Sequence, residues 1–315
     1  MKPRARGVRV EAHAKLNLGL AVGPARADGF HELATVFQSI SLADTLVATP
    51  RRAGFTLAIR HEDASLVPRP ARRERIPVGR TNLVLRAAQL VAARYALPGG
   101  AAFRLTKRIP SQSGMGGGSA DAAATIAALD ALYGLRLSTA FRMKLAAELG
   151  SDVPFACLGG TALGLGRGER LERLTLAGAF RAVVIVPRWR VSTAEAFRQI
   201  DKNKYGLTAW ATKLRYARNL RRGRLKPERA LALGNTLEQA LENRRSDLLS
   251  LRRRLVAAGV ANARMTGSGS ALFGILGPGL SARTVARRFA GSERIFTVRS
   301  TRVGWRLIRS TSLER

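Results

Sequence analysis

The chain has little cysteine, lysine, acid or aromatic residue. Cys157 is the one cysteine in 315 residues, which excludes an intrachain disulfide and a cysteine-based metal cluster and suits a reducing cytoplasm. No run of about 18 apolar residues occurs, so no helix is expected to span a membrane. The opening MKPRARGVRVEAHAK is basic but has no apolar stretch behind it, so no secretory signal is expected. Acidic residues number 21 against 54 basic ones, a net charge of +33, and with eight lysines the surplus is almost all arginine. Such a charge suggests nucleic acid or an anionic surface as partner. The arginines are scattered, however, and aromatics make up only 6%. Without basic clusters interleaved with stacking rings, a compositional bias is the plainer reading and no specific nucleic-acid partner is expected. Retention on polyanions at low salt is still expected.

What remains is ordinary for a globular enzyme-sized chain: 46% hydrophobic and 24% charged residues. A chain of this length buries roughly three quarters of its unfolded surface and needs no covalent staple. Residues 8–22 mix alternation with an apolar run and predict a strand pair or one long bent strand. Asp28-Gly29 signals a turn. VFQSISL and TLVATP suggest strands, and residues 60–80, with Pro68, Pro70 and Pro77, read as loop. A helix is expected from Asn82 to the Pro98-Gly99-Gly100 stop, then a strand at AAFRLTKRI. A second helix is expected behind Ser119 as cap, with Asp121 in its first turn, running to Gly134. Further helices are expected at 138–149 and 235–258, strands at 179–187 and RIFTVRST, and a glycine loop entering a strand at ARMTGSGSALFGIL. The glycine-rich stretch 159–171 suggests a crossing between domains, and 200–230 a basic, irregular and weakly helical excursion. The mixed order of elements argues for an α+β or mixed α/β fold in two lobes.

Four motifs carry chemistry. In PSQSGMGGGSADAA, beginning at Pro110, four glycines surround Met115 and a helix follows at once. Glycines let backbone approach a ligand closely, and the helix start offers free N–H groups and a positive dipole end to phosphate. No Gly-Lys-Ser/Thr closes the loop, so it is not a Walker A motif. Gly150-Ser151-Asp152-Val153-Pro154 holds an aspartate fixed before a proline, which alone could be a turn or cap residue. Lys15 and Asn17 stand in an apolar strand-like run, where a lysine either snorkels outward or faces a site. Met265-Thr266-Gly267-Ser268-Gly269-Ser270 is a second glycine loop before a strand. Phe30-His31 beside the Asp28-Gly29 turn offers a flat ring and a polar edge together, as nucleobase recognition requires. A satisfied structural histidine is the alternative. Cys157 reads as a small buried hydrophobe.

The order Lys15, glycine loop, Ser151-Asp152-Val153-Pro154 and Gly-Ser-Gly loop resembles the GHMP small-molecule kinases. The blocks AKLNLGLAVG and ADGFHELATVFQSISLADTL in 14–46, TNLVLRAA, IPSQSGMGGGSADAA, LGSDVPF, GGTALGLGRGE and MTGSGSALF are similar to the branch acting on 4-diphosphocytidyl-2-C-methyl-D-erythritol. The resemblance implies an α+β two-lobed fold. Residues 1–165 would form a lobe like ribosomal protein S5 domain 2, and 166–315 a ferredoxin-like lobe closing the cleft. It implies phosphoryl transfer from ATP, with Mg²⁺, to the 2-hydroxyl of that alcohol, by a cytoplasmic monomer or weak homodimer. Carried over by position, Asp152 would take the hydroxyl proton and Lys15 would stabilise developing charge. Pro110, Gly114, Gly116, Gly117, Gly118 and Ser119 would cradle ATP phosphates, with Asn82 near the nucleotide. Phe30, His31 and Phe197 would hold the cytosine, Asn17 would orient the substrate, and Thr266, Gly267 and Ser268 would close the cleft. No side chain is assigned as a metal ligand, because Ala120 stands where a hydroxyl is common. His13, Gln112 and Ser113 also depart from the family pattern. Another GHMP kinase, for homoserine or mevalonate, is the alternative within enzymes. A basic nucleic-acid-binding protein on the same scaffold is the alternative outside them.

Overall fold

The computed structural model describes residues 7–66, 76–204, 208–241, 245–289 and 293–308. Pro68 and Pro70 of the expected loop lie outside that range. The first lobe is organised by two long strands, β1 (Val8–Ala25) and β2 (His31–Arg51), joined by the turn at Gly29. The apolar run of 8–22 thus forms one strand, and VFQSISL and TLVATP belong to a single second strand. β3 (Phe55–His61), β4 (Gly100–Lys107), β5 (Thr161–Gly166), β6 (Arg170–Leu174) and β11 (Trp305–Ile308) complete a seven-stranded sheet. Its path is β11-β1-β2-β4-β3, and β5 pairs with both β2 and β6. β3 and β4 run parallel; the other pairs are antiparallel.

Helices α1 (Leu83–Tyr95), α2 (Gly117–Tyr133), α3 (Thr139–Leu149) and α4 (Val153–Leu158) cover this sheet. α2 packs against β1, β2, α1 and α4. Nearly every residue from Ala120 to Tyr133 is buried, as expected of a helix that is apolar all round. Its alanines allow close approach to the strands. Asn82 and Ser138 cap α1 and α3 through their side-chain oxygens, as local propensity dictates.

The second lobe contains β7 (Arg181–Val186), β8 (Arg264–Met265), β9 (Leu272–Ile275) and β10 (Arg294–Arg299), in sheet order β10-β7-β9-β8. With α8 (Arg245–Ala257) and α9 (Ala282–Arg287), the chain order is β-α-β-β-α-β, the ferredoxin-like arrangement. Helices α5 (Thr193–Asn203), α6 (Trp210–Asn219) and α7 (Pro227–Leu231) are inserted between β7 and α8. Val184, Phe273 and Phe296 join the same core as Leu16, Leu46 and Leu129 of the first lobe.

Four sequence expectations are corrected. The stretch 159–171 is not a crossing: it builds β5 and enters β6, a hairpin on the first sheet. The expected boundary at 165/166 falls within β5, while β6 and β11 also belong to the first sheet. The basic stretch 200–230, expected to be irregular and only weakly helical, is more regular: most of its described residues lie in α5, α6 and α7, because alanine and the aliphatic stems of arginine support helices. The expected 235–258 helix is a short turn at Thr236–Glu238 and then α8.

Candidate active site

Lys15 and Asn17 are two apart on β1 and so face the same side. Irregular register at His13/Lys15 and Asn17/Gly19 flanks them, and such bulges re-aim side chains. Lys15 Nζ donates to Asn17 Oδ1 at 2.6 Å and lies 3.3 Å from Asp152 Oδ2. Asn17 Nδ2 donates to Thr35 Oγ1 at 2.8 Å, and the Asn17 amide donates to Thr266 Oγ1 at 3.0 Å. The lysine does not snorkel outward: it is 7% exposed and has an ionic partner. Asp152 occupies the N-cap position of α4 but makes no capping bond with its side chain. Its carboxylate is turned toward Lys15 instead, with the side chain 35% exposed.

The glycine loop lies directly above this pair. The Lys15 amide donates to Met115 O at 3.0 Å, tying β1 to the loop. Gly116 has φ +70°, and a Cβ there would come 3.1 Å from Lys15 Cγ. A Cβ on Gly114, at φ +79°, would come 2.1 Å from Thr266 O. Glycine is therefore required where the two glycine loops meet backbone to backbone. α2 opens behind Gly116 with no side-chain cap, and its first helical bond runs from the Ala120 amide to Gly116 O. The amides of Gly117, Gly118 and Ser119 stand at that open end, so the expectation that Ser119 caps the helix is corrected. The cap position falls to Gly116 because the left-handed turn there leaves the serine inside the first turn.

Asp121 also departs from expectation. It lies beyond the first turn, buried against Lys107, whose Nζ is 2.7 Å from Asp121 Oδ2 and also binds Asp44. Asp44 Oδ1 accepts the amides of Arg108 and Ile109 at 2.6 and 2.9 Å. This cluster braces the strand that delivers the glycine loop.

A cavity of about 1020 Å³ opens between the lobes. Lys15, Asn17, Asp152, Gly114, Gly116, Ser119, Phe30, His31, Phe197, Gly267 and Ser268 line it, so most of the residues singled out in the sequence converge there. His31 is buried; its Nδ1 is 2.9 Å from Gly23 O and its Nε2 3.2 Å from Asp201 Oδ1. Its ring centre lies 5.2 Å from that of Phe197. Phe30 is 48% exposed, with the Arg167 guanidinium 4.8 Å from its ring centre.

Some expected residues stand apart. Thr266 is fully buried and its hydroxyl serves Asn17, so it positions a neighbour and does not line the cavity. Asn82 caps α1, and Pro110 O accepts from Ser113 Oγ at 2.6 Å; neither lines the cavity. Gly117 and Gly118 lie between Gly116 and Ser119 of the cavity wall, at the uncapped start of α2. The sequence reading missed Gln112, Arg167, Arg190, Thr193 and Asp201. Arg190 Nη1 donates to Gln112 Oε1 at 2.8 Å across the lobes, and Gln112 takes φ +54°. Thr193 Oγ1 and Ser268 Oγ are 2.7 Å apart. Gln112 and Arg167 lie within the motif blocks but were given no role there; Arg190, one arginine among 46, carries no signal of its own, and Asp201 sits in a stretch that matched no motif. Cys157 packs against the main core, and burial pushes its thiol up to about 12, as suits a structural residue. No group of three metal-ligating side chains occurs among the described residues.

A lysine–aspartate pair with its lysine buried and its aspartate open to the cleft, an uncapped helix start behind glycines and a two-lobed α+β frame define a GHMP-type small-molecule kinase. The family model for the GHMP kinases N terminal domain matches residues 82–160. A 4-diphosphocytidyl-2-C-methyl-D-erythritol kinase from Pelotomaculum thermopropionicum is 40% identical over 92% of this chain and 96% of its own. One from Moorella thermoacetica is also 40% identical, over 88% and 93%. A crystal structure of 4-(cytidine 5'-diphospho)-2C-methyl-D-erythritol kinase superposes with a TM-score of 0.71 at 37% identity, covering 93% of this chain and 98% of that one. Homoserine kinase from Cytophaga hutchinsonii shares the fold, with a TM-score of 0.69 at 17% identity over 98% and 99%. The chain belongs to the 4-diphosphocytidyl-2-C-methyl-D-erythritol kinase family.

Proposed function

We propose that this protein transfers the γ-phosphoryl group of ATP to the 2-hydroxyl of 4-diphosphocytidyl-2-C-methyl-D-erythritol, in non-mevalonate isoprenoid precursor biosynthesis. The observation that carries this is the Lys15–Asp152 pair, 3.3 Å apart, in a cavity lined also by Ser119 at the open start of α2 and by Phe30, His31 and Phe197. Phosphoryl transfer needs positioning and charge stabilisation more than covalent help from the protein. Asp152 accepts the acceptor hydroxyl proton as the oxygen attacks the γ-phosphorus, a contribution of roughly 10²–10⁴ in rate. Lys15 stabilises charge developing on the attacking oxygen and the transferred group. Asn17 holds the Lys15 ammonium by its side-chain oxygen and is itself held by Thr35 and Thr266. The amides of Gly117, Gly118 and Ser119 take the ATP phosphates at the positive end of α2. Phe30 and Phe197 stack on the cytosine, with His31 at its edge.

Mg²⁺ bound with the nucleotide would keep several waters and take mainly phosphate oxygens; of the cavity lining, the Ser119 hydroxyl would be the protein oxygen offered to it, leaving the Asp152 carboxylate to its proton-accepting role. The ion neutralises phosphate charge when bound. The single cysteine supports a cytoplasmic setting, and a monomer or weak homodimer is proposed for solution.

The test is product identification. Incubation with ATP, Mg²⁺ and the cytidyl alcohol should give ADP and a product heavier by one phosphoryl group. ³¹P NMR should place a new monoester on the 2-hydroxyl; a phosphate on any other hydroxyl, or none, contradicts the proposal.

A further inference from the structure

We infer, given the cytidyl cavity proposed above, that Asp201 reads the exocyclic amine of the base and sets the choice of cytosine over uracil. Asp201 stands in the last turn of α5, on the cavity wall, beside Phe197 and His31. Its Oδ1 lies 3.2 Å from His31 Nε2, and its side chain is 57% exposed. It has no other hydrogen bond or ion pair among the described residues. Arg198 shares the wall, but its guanidinium is held by Glu195, three residues earlier on α5. Arg167 lies over the Phe30 ring, with its Nε 3.9 Å from Glu169. The Asp201 carboxylate therefore keeps free lone pairs on the cavity wall beside the His31 and Phe197 rings.

Rings bind any base, since every base has a stacking face. Choice between bases must come from the polar edge. His31 Nδ1 is occupied by Gly23 O, and Nε2 faces Asp201, so the carboxylate supplies the acceptor beside the two rings. A carboxylate has acceptors and no donors. Cytosine presents an amine donor at C4, the partner carboxylates take in base reading. Uracil presents a carbonyl oxygen at the same place, which meets the carboxylate lone pair to lone pair. A site built for a donor rejects the analogue that lacks it far more strongly than a site that only loses apolar contact. A charged hydrogen bond of this kind corresponds to roughly ten- to a hundredfold in affinity.

Asparagine has the same shape as aspartate, but its amide can turn either an acceptor or a donor to the base. The full-length protein and its Asp201→Asn and Asp201→Ala variants would be titrated calorimetrically with CDP and with UDP. The wild type should favour CDP by about tenfold or more. In Asp201→Asn the two affinities should approach within about threefold, chiefly by gain for UDP, and in Asp201→Ala chiefly by loss for CDP. If both variants weaken CDP and UDP equally and keep the ratio, Asp201 only holds His31 in place and the inference is wrong. If the wild type shows no preference, the inference is also wrong, although turnover of the cytidyl alcohol would leave the proposed function standing. If the wild type binds neither nucleotide and does not phosphorylate the cytidyl alcohol, the proposed function itself fails.

Discussion

At the scale of single residues, the site separates proton acceptance from charge stabilisation. Asp152 at the head of α4 makes no helix cap with its side chain and meets Lys15. Asp152→Asn keeps the shape and removes the proton acceptor. Its kcat should fall by roughly 10²–10⁴ with the KM for ATP little changed. Near wild-type kcat would remove Asp152 from the chemistry. Phe30, half exposed in the turn after β1, should matter to one substrate only. Phe30→Ala should raise KM for the cytidyl alcohol by roughly tenfold, as loss of one base-stacking ring does, and leave KM for ATP in place; equal effects on both would take Phe30 out of the base slot. The sequence made Lys15, Asp152 and Phe30 legible because each lies in a distinctive motif. Arg190 and Asp201 were not legible. Their partners Gln112 and His31 come from distant parts of the chain, and no local spacing announces such a meeting.

At the scale of elements, the two glycine loops behave as one joint. Gly114 faces Thr266 O, Ala271 N–H donates to Ser113 O at 3.1 Å, and Asn235 Nδ2 donates to Met265 O and Gly267 O at 2.9 Å each. Gly114→Ala should therefore strain both loops. At φ +79° with a Cβ 2.1 Å from Thr266 O, it should cost about 1–3 kcal/mol, read as a lower melting temperature and a higher KM for ATP. Unchanged melting would mean the joint yields freely. Helix starts and stops were legible where a cap or glycine marked them, as at Asn82, Ser138 and Gly134. The start of α2 was misjudged because a left-handed Gly116, and not a serine side chain, takes the cap position. β3 and β11 escaped because each is short or half exposed, and a strand of that kind is specified by its neighbours more than by its own residues.

At the scale of the whole molecule, two ionic features set behaviour in solution. Burial pushes the Asp121 carboxyl up to about 8, with Lys107 opposing and Asp44 reinforcing the shift. A raised carboxyl binds a proton in the folded state that the unfolded chain, with a value near 4, has released. The stability it contributes is full below about pH 4 and is lost as pH rises through about 8. Asp121→Asn should flatten the fall in melting temperature across that window; an unchanged slope would assign the fall to other groups. The net charge of +33 should hold random RNA at low salt and release it steeply as salt rises; retention at high salt would instead indicate a built nucleic-acid site. The most direct measurement is ADP release with ATP, Mg²⁺ and 4-diphosphocytidyl-2-C-methyl-D-erythritol, run beside mevalonate, homoserine and galactose. Release with the cytidyl alcohol alone is the expected result. Release with another alcohol, or none with any from folded protein that still binds ATP, would contradict the proposed function.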